Sequence, residues 1–426
     1  MVDLVAICHN STRISASDLI GRRITNVTTE IRAMEVTSGA RQLAADLKGA
    51  GETGKKVLPL TAKRWERFPC ATQENVIFFR LEEHRQILEH SIEDQVILVE
   101  TGISLAALDE YLSRTRQWLP LSFACPSDTL LEAIVTGDGG ALSYGFGGPR
   151  HLVLGLTLAL SNGHLVRTGG RVVKNVTGYD LTRLIIGSYG IFAVPVAAYL
   201  RLYTRPERFL SVACADSDPL RLLALERSAA RLGLPLACAE LIDKRLLGQA
   251  TDDGRRFLLL FRLAGAQALI EAARPLLLAL CREHAPSSTS FDEPEAEAKI
   301  WSSLTKSQQS EEAFLLEAAI NRQNFAKLWQ KERAIFDFPF SLGLGPGAAK
   351  LMLPDLAEQA KIIAALSAFA EANSQALTVA YTDADYLRRV RRLGSNDNQQ
   401  EQLLKRLKKQ FDPSNCLNPY VCLAND

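Results

Sequence analysis

Two stretches of the sequence combine residue types and spacing suited to holding a ligand. The first runs from Thr136 to Arg150 and carries six glycines: Gly137, Gly139, Gly140, Gly145, Gly147 and Gly148. Bare backbone N–H groups approach a phosphate or a ring edge where side chains would not fit, so this loop reads as a cradle. A flexible surface loop is the plain alternative. The second stretch opens at Gly169 and Gly170. It continues through Lys174, Asn175, Gly178 and Asp180 to Gly187, Ser188 and Gly190. A short helix from about Asp180 places Leu181, Leu184 and Ile185 on one face. Gly187 and Gly190 bracket a turn that needs unusual dihedrals or close approach of backbone to a ligand. The apolar run Ile191 to Leu202, Val194 included, reads as a buried strand. Together they make a floor for a flat aromatic group, or else an ordinary helix-to-strand connection. Lys174, Tyr179 and Arg183 offer donors to an anion or serve the fold.

Acid–base and metal chemistry are sparsely represented. The six histidines, His9, His84, His90, His151, His164 and His284, are scattered. The eight cysteines form no C-x-x-C pair and have no histidine at zinc-finger spacing. They read as reduced, mostly buried thiols of a cytosolic protein, with neither a metal site nor an iron–sulfur cluster in this chain.

The elements around these stretches follow in order. Ala40 to Leu47 reads as an opening helix and Val76 to Phe79 as a strand. Leu81 to Ser91 reads as a short helix or turn, and Gln95 to Gly102 as a strand ending in glycine. Leu152 to Leu160 and His164 to Arg167 form a hairpin about Asn162-Gly163. From Phe209 the texture changes to a β-α-β-β-α unit, as in a ferredoxin-like half. Residues 285–299 read as a polar linker. A second such half runs from Phe314 to Tyr381, and the arginines of 386–394 read as a solvated helix face.

The pattern D-L-x-x-L-x-x-G-S-x-G, Asp180 through Gly190, resembles the flavin-contacting turn of the PCMH/vanillyl-alcohol-oxidase family of FAD-linked oxidases. The preceding run from Gly170 to Asp180 is similar to the E-type subunit of bacterial glycolate oxidase. Phe411-Asp412-Pro413 through Asn418-Pro419 resembles the ending of many such oxidases. The resemblance covers roughly 57–206 and returns near the C-terminus. It implies an α+β fold: a PCMH-type FAD-binding domain of two α/β subdomains with an inserted ferredoxin-like α/β cap domain. The implied division is 1–34 N-terminal extension, 35–206 FAD-binding domain, 207–395 cap and 396–426 returning to the FAD domain. It further implies FAD contacts at Gly102, Thr136, Gly137, Gly139, Gly140, Gly147, Gly148, Lys174, Asn175, Gly178, Asp180, Gly187, Ser188, Gly190, Ile191, Val194 and Asn418. No histidine or cysteine lies in the two glycine stretches, so non-covalent binding is expected. The sequence departs from the family at Thr61 to Phe68, which has no glycine where a phosphate-cradling loop is expected; Lys63 and Arg64 offer charge instead. In the cap, Ser341 to Lys350 has no histidine and no acid, leaving Lys350 as its one ionisable group.

The chain has 426 residues, enough for two or three subdomains. Its 49 basic and 48 acidic side chains are balanced, without long single-sign blocks, which gives no support to nucleic-acid binding. No secretory signal and no run of 18 apolar residues is present, so no direct membrane span is expected. The chain is expected to be cytoplasmic, with membrane association only through partners. The leading expectation is a FAD-dependent oxidoreductase subunit of a glycolate oxidase-like complex acting on a small 2-hydroxy acid. Its expected partners are a flavin-containing D-type subunit and an iron–sulfur F-type subunit. On this reading the chain alone does not oxidise glycolate, because a base is missing. A flavin-free structural subunit and a self-sufficient FAD oxidase of another substrate stay open.

Overall fold

The computed structural model describes residues 37–58, 76–78, 81–122, 128–171, 180–249, 253–284, 287–307, 314–374, 377–382, 388–394 and 398–418. The expectations for 1–34 and 61–68, and for Lys174, Asn175 and Gly178, fall outside these residues.

A five-stranded antiparallel sheet organises the first unit. Its order is Ile87–Ser91, Val96–Glu100, Val194–Arg201, Val153–Ala159, Leu165–Gly169. The apolar run after the glycine turn supplies the middle strand, buried from Val194 to Leu200. An unbroken apolar run suits a strand covered on both faces. The hairpin about Gly163 forms as its sequence indicates, with φ of 84° at that glycine. The helix Leu130–Thr136 is fixed at its start by a capping box. Thr129 accepts from the Glu132 amide while the Glu132 side chain accepts from the Thr129 amide. A short parallel pair, Lys56–Leu58 with Val76–Phe78, lies beside this sheet, and Leu417 bridges to Val57. Their shared core joins Leu47, Val57, Val135, Val194 and Leu417, so distant stretches of chain complete it.

The second unit is one nine-stranded antiparallel sheet. The first half runs Ser287–Phe291, Arg208–Asp216, Phe257–Gly265, Leu236–Asp243. The second continues with Phe340–Gly343, Ala348–Leu353, Phe314–Ala319, Leu377–Thr382, Arg388–Leu393. In chain order each half is strand, helix, strand, strand, helix, strand, with the ferredoxin-like arrangement, and the second adds Arg388–Leu393 as an edge strand. The halves meet where Glu240, Leu241 and Ile242 pair with Gly343, Leu342 and Ser341. Four helices, Pro219–Arg231, Gln267–His284, Arg322–Lys331 and Leu356–Ala372, bury one face of the sheet. The opposite face turns towards the first unit and contributes Ile242, Leu260 and Met352 to a core shared with Trp118 and Leu142.

Three local expectations differ from the structure. Residues 285–299 are not a linker: Ser287–Phe291 is an edge strand and Pro294–Ser307 a helix. Within 386–394, Arg388–Leu393 is a strand rather than a helix, paired with Leu377–Thr382. In 81–91, Ile87–Ser91 is a strand paired with Val96–Glu100. In each case tertiary pairing overrides a polar local composition. Among the described residues no helix is long and apolar enough to cross a membrane.

Candidate functional site

The glycine turn is held from two sides. Gly187 N–H donates to Ile134 O at 2.9 Å and Tyr189 N–H to Val135 O at 2.7 Å, tying the turn to the helix Leu130–Thr136. Gly137 ends that helix in the left-handed conformation, φ 73°. A Cβ on Gly137 would stand 3.1 Å from the Cα of Gly187, so two bare backbones meet there. From the other side, Asn418 Nδ2 donates to Tyr189 O at 2.6 Å, and its backbone N–H donates to Val57 O at 2.8 Å. Lys408 Nζ reaches Ile191 O, Leu417 O and Asp412 Oδ2. Thr136, Gly137, Gly187, Ser188, Gly190, Ile191, Val194 and Asn418 are thus gathered at one place. Asp180 caps the short helix Leu181–Ile185 by accepting from the Arg183 N–H at 3.1 Å.

The 136–150 loop folds back on itself. The Asp138 carboxylate accepts from the Gly140 N–H at 2.8 Å, and Thr136 Oγ1 from the Asp138 N–H at 3.2 Å. Several glycines there answer to protein packing. A side chain on Gly139 would meet Gly148 Cα at 3.0 Å, one on Gly140 would press on Ser122, and one on Gly147 on His151. At Gly102 it would fall on the carbonyl of Leu81. Gly148, Gly170 and Gly187 differ: chain neighbours aside, no atom among the described residues comes nearer than 3.4 Å to a side chain's first carbon.

Two hydroxyls in these stretches, on Ser143 and Ser188, are buried without a hydrogen-bond partner among the described residues. Buried polar atoms are normally satisfied, so each is a donor and acceptor awaiting a ligand or water. Open glycine backbone beside orphaned hydroxyls fits a phosphate- and ring-bearing cofactor.

The cap closes on the same loop. Gly145 packs against the backbone of Leu236 and Ala237, and Gly345 against the backbone of Tyr144. The Tyr144 hydroxyl donates to Glu226 Oε1 at 2.7 Å, which also accepts from Arg322 at 2.7 Å. Burial and the Glu226 carboxylate push the Tyr144 phenol up. Lys350 Nζ binds Asp138 Oδ2 at 3.0 Å and stands opposite Glu317 in the sheet register. Burial opposes the charge on Lys350, but Asp138, Glu317 and Glu240 outweigh it and hold its pKa above the usual lysine range.

Glu240 was not among the residues the sequence pointed to. It is 5% exposed and opposite Gly343. Burial pushes its carboxyl up to about 8, against the pull of the Lys350 ammonium and with Asp138 adding to the rise. A glutamate alone in the apolar strand Leu236–Asp243 was the available signal. The strand Phe340–Gly343 and its continuation to Lys350 indeed hold no acid, but sheet pairing brings Glu240 and Glu317 alongside. Among the described residues no group of histidine, cysteine and carboxylate side chains could hold a metal. Cys214, Cys238, Cys281 and Cys416 are free and buried.

The model of the FAD binding domain matches residues 37–169, and that of the C-terminal domain of FAD linked oxidases matches 393–421. Glycolate oxidase subunit GlcE of Escherichia coli (strain K12) is 33% identical over 137 residues, 30% of this chain and 37% of the relative. The mitochondrial D-lactate dehydrogenase (cytochrome) of Arabidopsis thaliana is 29% identical over 218 residues, 49% of this chain and 38% of the relative. The chain spans less than half the length of the curated relatives it matches. The structure of 4-ethylphenol oxidase from Gulosibacter chungangensis superposes with a TM-score of 0.65 at 14% identity, covering 88% of this chain and 86% of that one. That likeness is one of fold, the PCMH-type FAD-binding fold. FAD is the cofactor of the matched domains.

Proposed function

We propose that this chain, which carries the FAD binding domain and the C-terminal domain of the FAD-linked oxidases, is the FAD-holding, electron-relaying subunit of a glycolate oxidase-like complex. Its coarser assignment is firm: a FAD-linked oxidoreductase whose relatives include D-lactate dehydrogenases and glycolate oxidase subunits. The finer reading places it in the cytoplasm with a D-type flavin subunit, which carries the 2-hydroxy-acid site, and an F-type iron–sulfur subunit. Residues 35–206 and 396–418 would form the FAD domain and 207–395 the cap.

The observation that carries the reading is the convergence of the glycine turn, the 136–150 loop and Asn418 around the Gly137–Gly187 contact. The Ser143 and Ser188 hydroxyls would donate to the cofactor, and the bare backbone of Gly148 and Gly187 would approach it. Bound FAD supplies the acceptor for electrons leaving the 2-hydroxy acid.

Electrostatics favours relay over self-sufficient oxidation. Holding a 2-hydroxy acid needs a cation for its carboxylate. The lysine the cap presents there, Lys350, is already paired with Asp138 and faces Glu317. A further anion would enter beside Lys350 where the Asp138 and Glu317 carboxylates already stand.

The test is turnover of glycolate and D-lactate by the purified, flavin-loaded chain with an artificial electron acceptor. No turnover alone, with recovery on adding a D-type subunit, is expected. Rates alone that equal those of the complex would reject the subunit reading.

A further inference from the structure

We propose that the outer face of the cap helix Gln267–His284 is a docking surface for a second copy of this chain, the two helices packing antiparallel across a two-fold axis. This surface lies on the cap and is independent of the electron-relaying role.

The helix is apolar on two sides. Ile270, Ala273, Leu277 and Cys281 are buried against the cap sheet. On the other side Ala268, Leu269, Ala272, Pro275, Leu276 and Ala279 are all exposed. At 3.6 residues per turn they fall in one stripe ~120° wide. Among the described residues four large hydrophobic side chains stand about half exposed. Two of them, Leu269 at 50% and Leu276 at 56%, lie two turns apart in this stripe. A surface helix needs one apolar face, and a second one marks a contact made outside the chain.

The stripe is complementary to itself. In one antiparallel register Leu276 of each copy lies over Ala272 of the other, and Leu269 over Ala279. Large side chains thus enter the room above small ones, each contact made twice by symmetry. A parallel pairing would set leucine on leucine and alanine on alanine, with the two helix dipoles aligned.

Charge fits the same register. Glu283 comes against Gly265, the cross-strand neighbour of Arg208. Arg282 comes against Ala266, next to Gln267, whose N–H donates to the Glu207 carboxylate at 3.1 Å. Arg282 and Glu283 are exposed and have no ion-pair partner among the described residues. The charges beside the stripe are settled within the chain: Glu271 stands 3.7 Å from Arg208, and Arg274 binds Asp292 at 2.6 Å. Antiparallel packing therefore brings opposite charges together at both ends of the stripe. One helix pair is small for a specific interface, so a dissociation constant on the order of micromolar is expected.

Analytical ultracentrifugation of the full, FAD-loaded chain from ~1 to ~100 μM should show a monomer–dimer equilibrium. Leu276→Glu should weaken it by roughly a hundredfold or more, because symmetry places each new charge in the interface twice. Arg282→Glu should weaken it by roughly tenfold. Flavin content and thermal midpoint should stay near wild type in both, since both side chains are exposed. Cysteine pairing tests the register. Oxidised alone, Leu269→Cys and Ala279→Cys should give no more cross-linked dimer than wild type, because like positions lie about 15 Å apart along the helices. Mixed, the two variants should cross-link. A wild-type chain still monomeric at ~100 μM overturns the proposal. Binding of a D-type subunit that Leu276→Glu abolishes would then assign the face to that partner. A dimer that Leu276→Glu leaves intact, or mixed cysteine variants that cross-link no better than either alone, overturns it as well. If Leu276→Glu does not fold, Arg282→Glu and the cysteine mixture decide.

Discussion

Lys408 donates a hydrogen bond from Nζ to the carbonyl oxygen of Ile191, 2.8 Å away and 217 residues distant in the chain. The same ammonium reaches Leu417 O and Asp412 Oδ2, both at 2.6 Å, so all three of its protons are used. Burial lowers the Lys408 pKa while Asp412 supports its charge. Burial also works against the Asp412 carboxylate, but Lys408 and the Leu417 and Cys416 N–H groups hold it below the usual range. Replacing Lys408 by Met takes the ammonium from a buried carboxylate and from two carbonyls. The expected loss is ~3–5 kcal/mol, the range for breaking a buried ion pair from one side. Urea unfolding of the apoprotein measures it, and a loss below ~1 kcal/mol would contradict the clasp.

Gly190→Val should cost about 1–3 kcal/mol and reduce flavin content. The site has φ of 72°, which a β-branched residue adopts only under strain. Gly140→Val combines φ of 65° with a clash against Ser122 and should behave alike. Thermal unfolding together with the flavin-to-protein absorbance ratio decides. Wild-type values in both would remove the turn from the site.

Tyr144→Phe removes one of the two donors to Glu226 Oε1 and leaves Arg322 in place. The chain should fold with a penalty of ~1–3 kcal/mol, because a buried carboxylate loses part of its satisfaction. Arg322→Met should cost more, as it removes the charge that compensates Glu226. Equal penalties in the two variants would show that charge compensation does not govern this contact.

Glu240 makes a pH-dependent contribution of definite sign. Its folded pKa, about 8, lies above the unfolded value near ~4.3. The folded state therefore holds a proton that the unfolded state has released, and stability falls as pH rises between these values, levelling off above the higher one. Glu240→Gln removes this term. The stability of the variant relative to wild type should thus grow from about pH 4.5 to 8. Denaturant midpoints across that window test it, and parallel profiles would place the carboxyl in a more polar setting.

Much of the site was legible because its signals are local. Gly187 and Gly190 adopt the left-handed dihedrals that their spacing suggested, and the run from Val194 to Leu200 is buried without interruption. The edge strands Ser287–Phe291 and Arg388–Leu393 were not legible. Their compositions say loop and charged helix, and only pairing with Arg208–Asp216 and Leu377–Thr382 makes them strands. Glu240 escaped for a related reason. Its meaning depends on Gly343 and Lys350, which reach it through sheet pairing rather than sequence proximity.

The core that joins Leu47, Val57, Val135, Val194 and Leu417 draws on chain lying on both sides of the cap. Ribosomes deliver a chain from its N-terminus at ~5–20 residues per second, and domains fold as they emerge. The strands from Arg208 to Leu393 can therefore pair and bury their helices while Asp412 and Leu417 are still inside the exit tunnel. Until Asn398–Phe411 docks, the nascent FAD domain has a gap where Leu417 will bridge to Val57. Closure of this core is thereby scheduled late in biogenesis: the nine-stranded sheet stands first, and the Lys408 stitch to Ile191 follows.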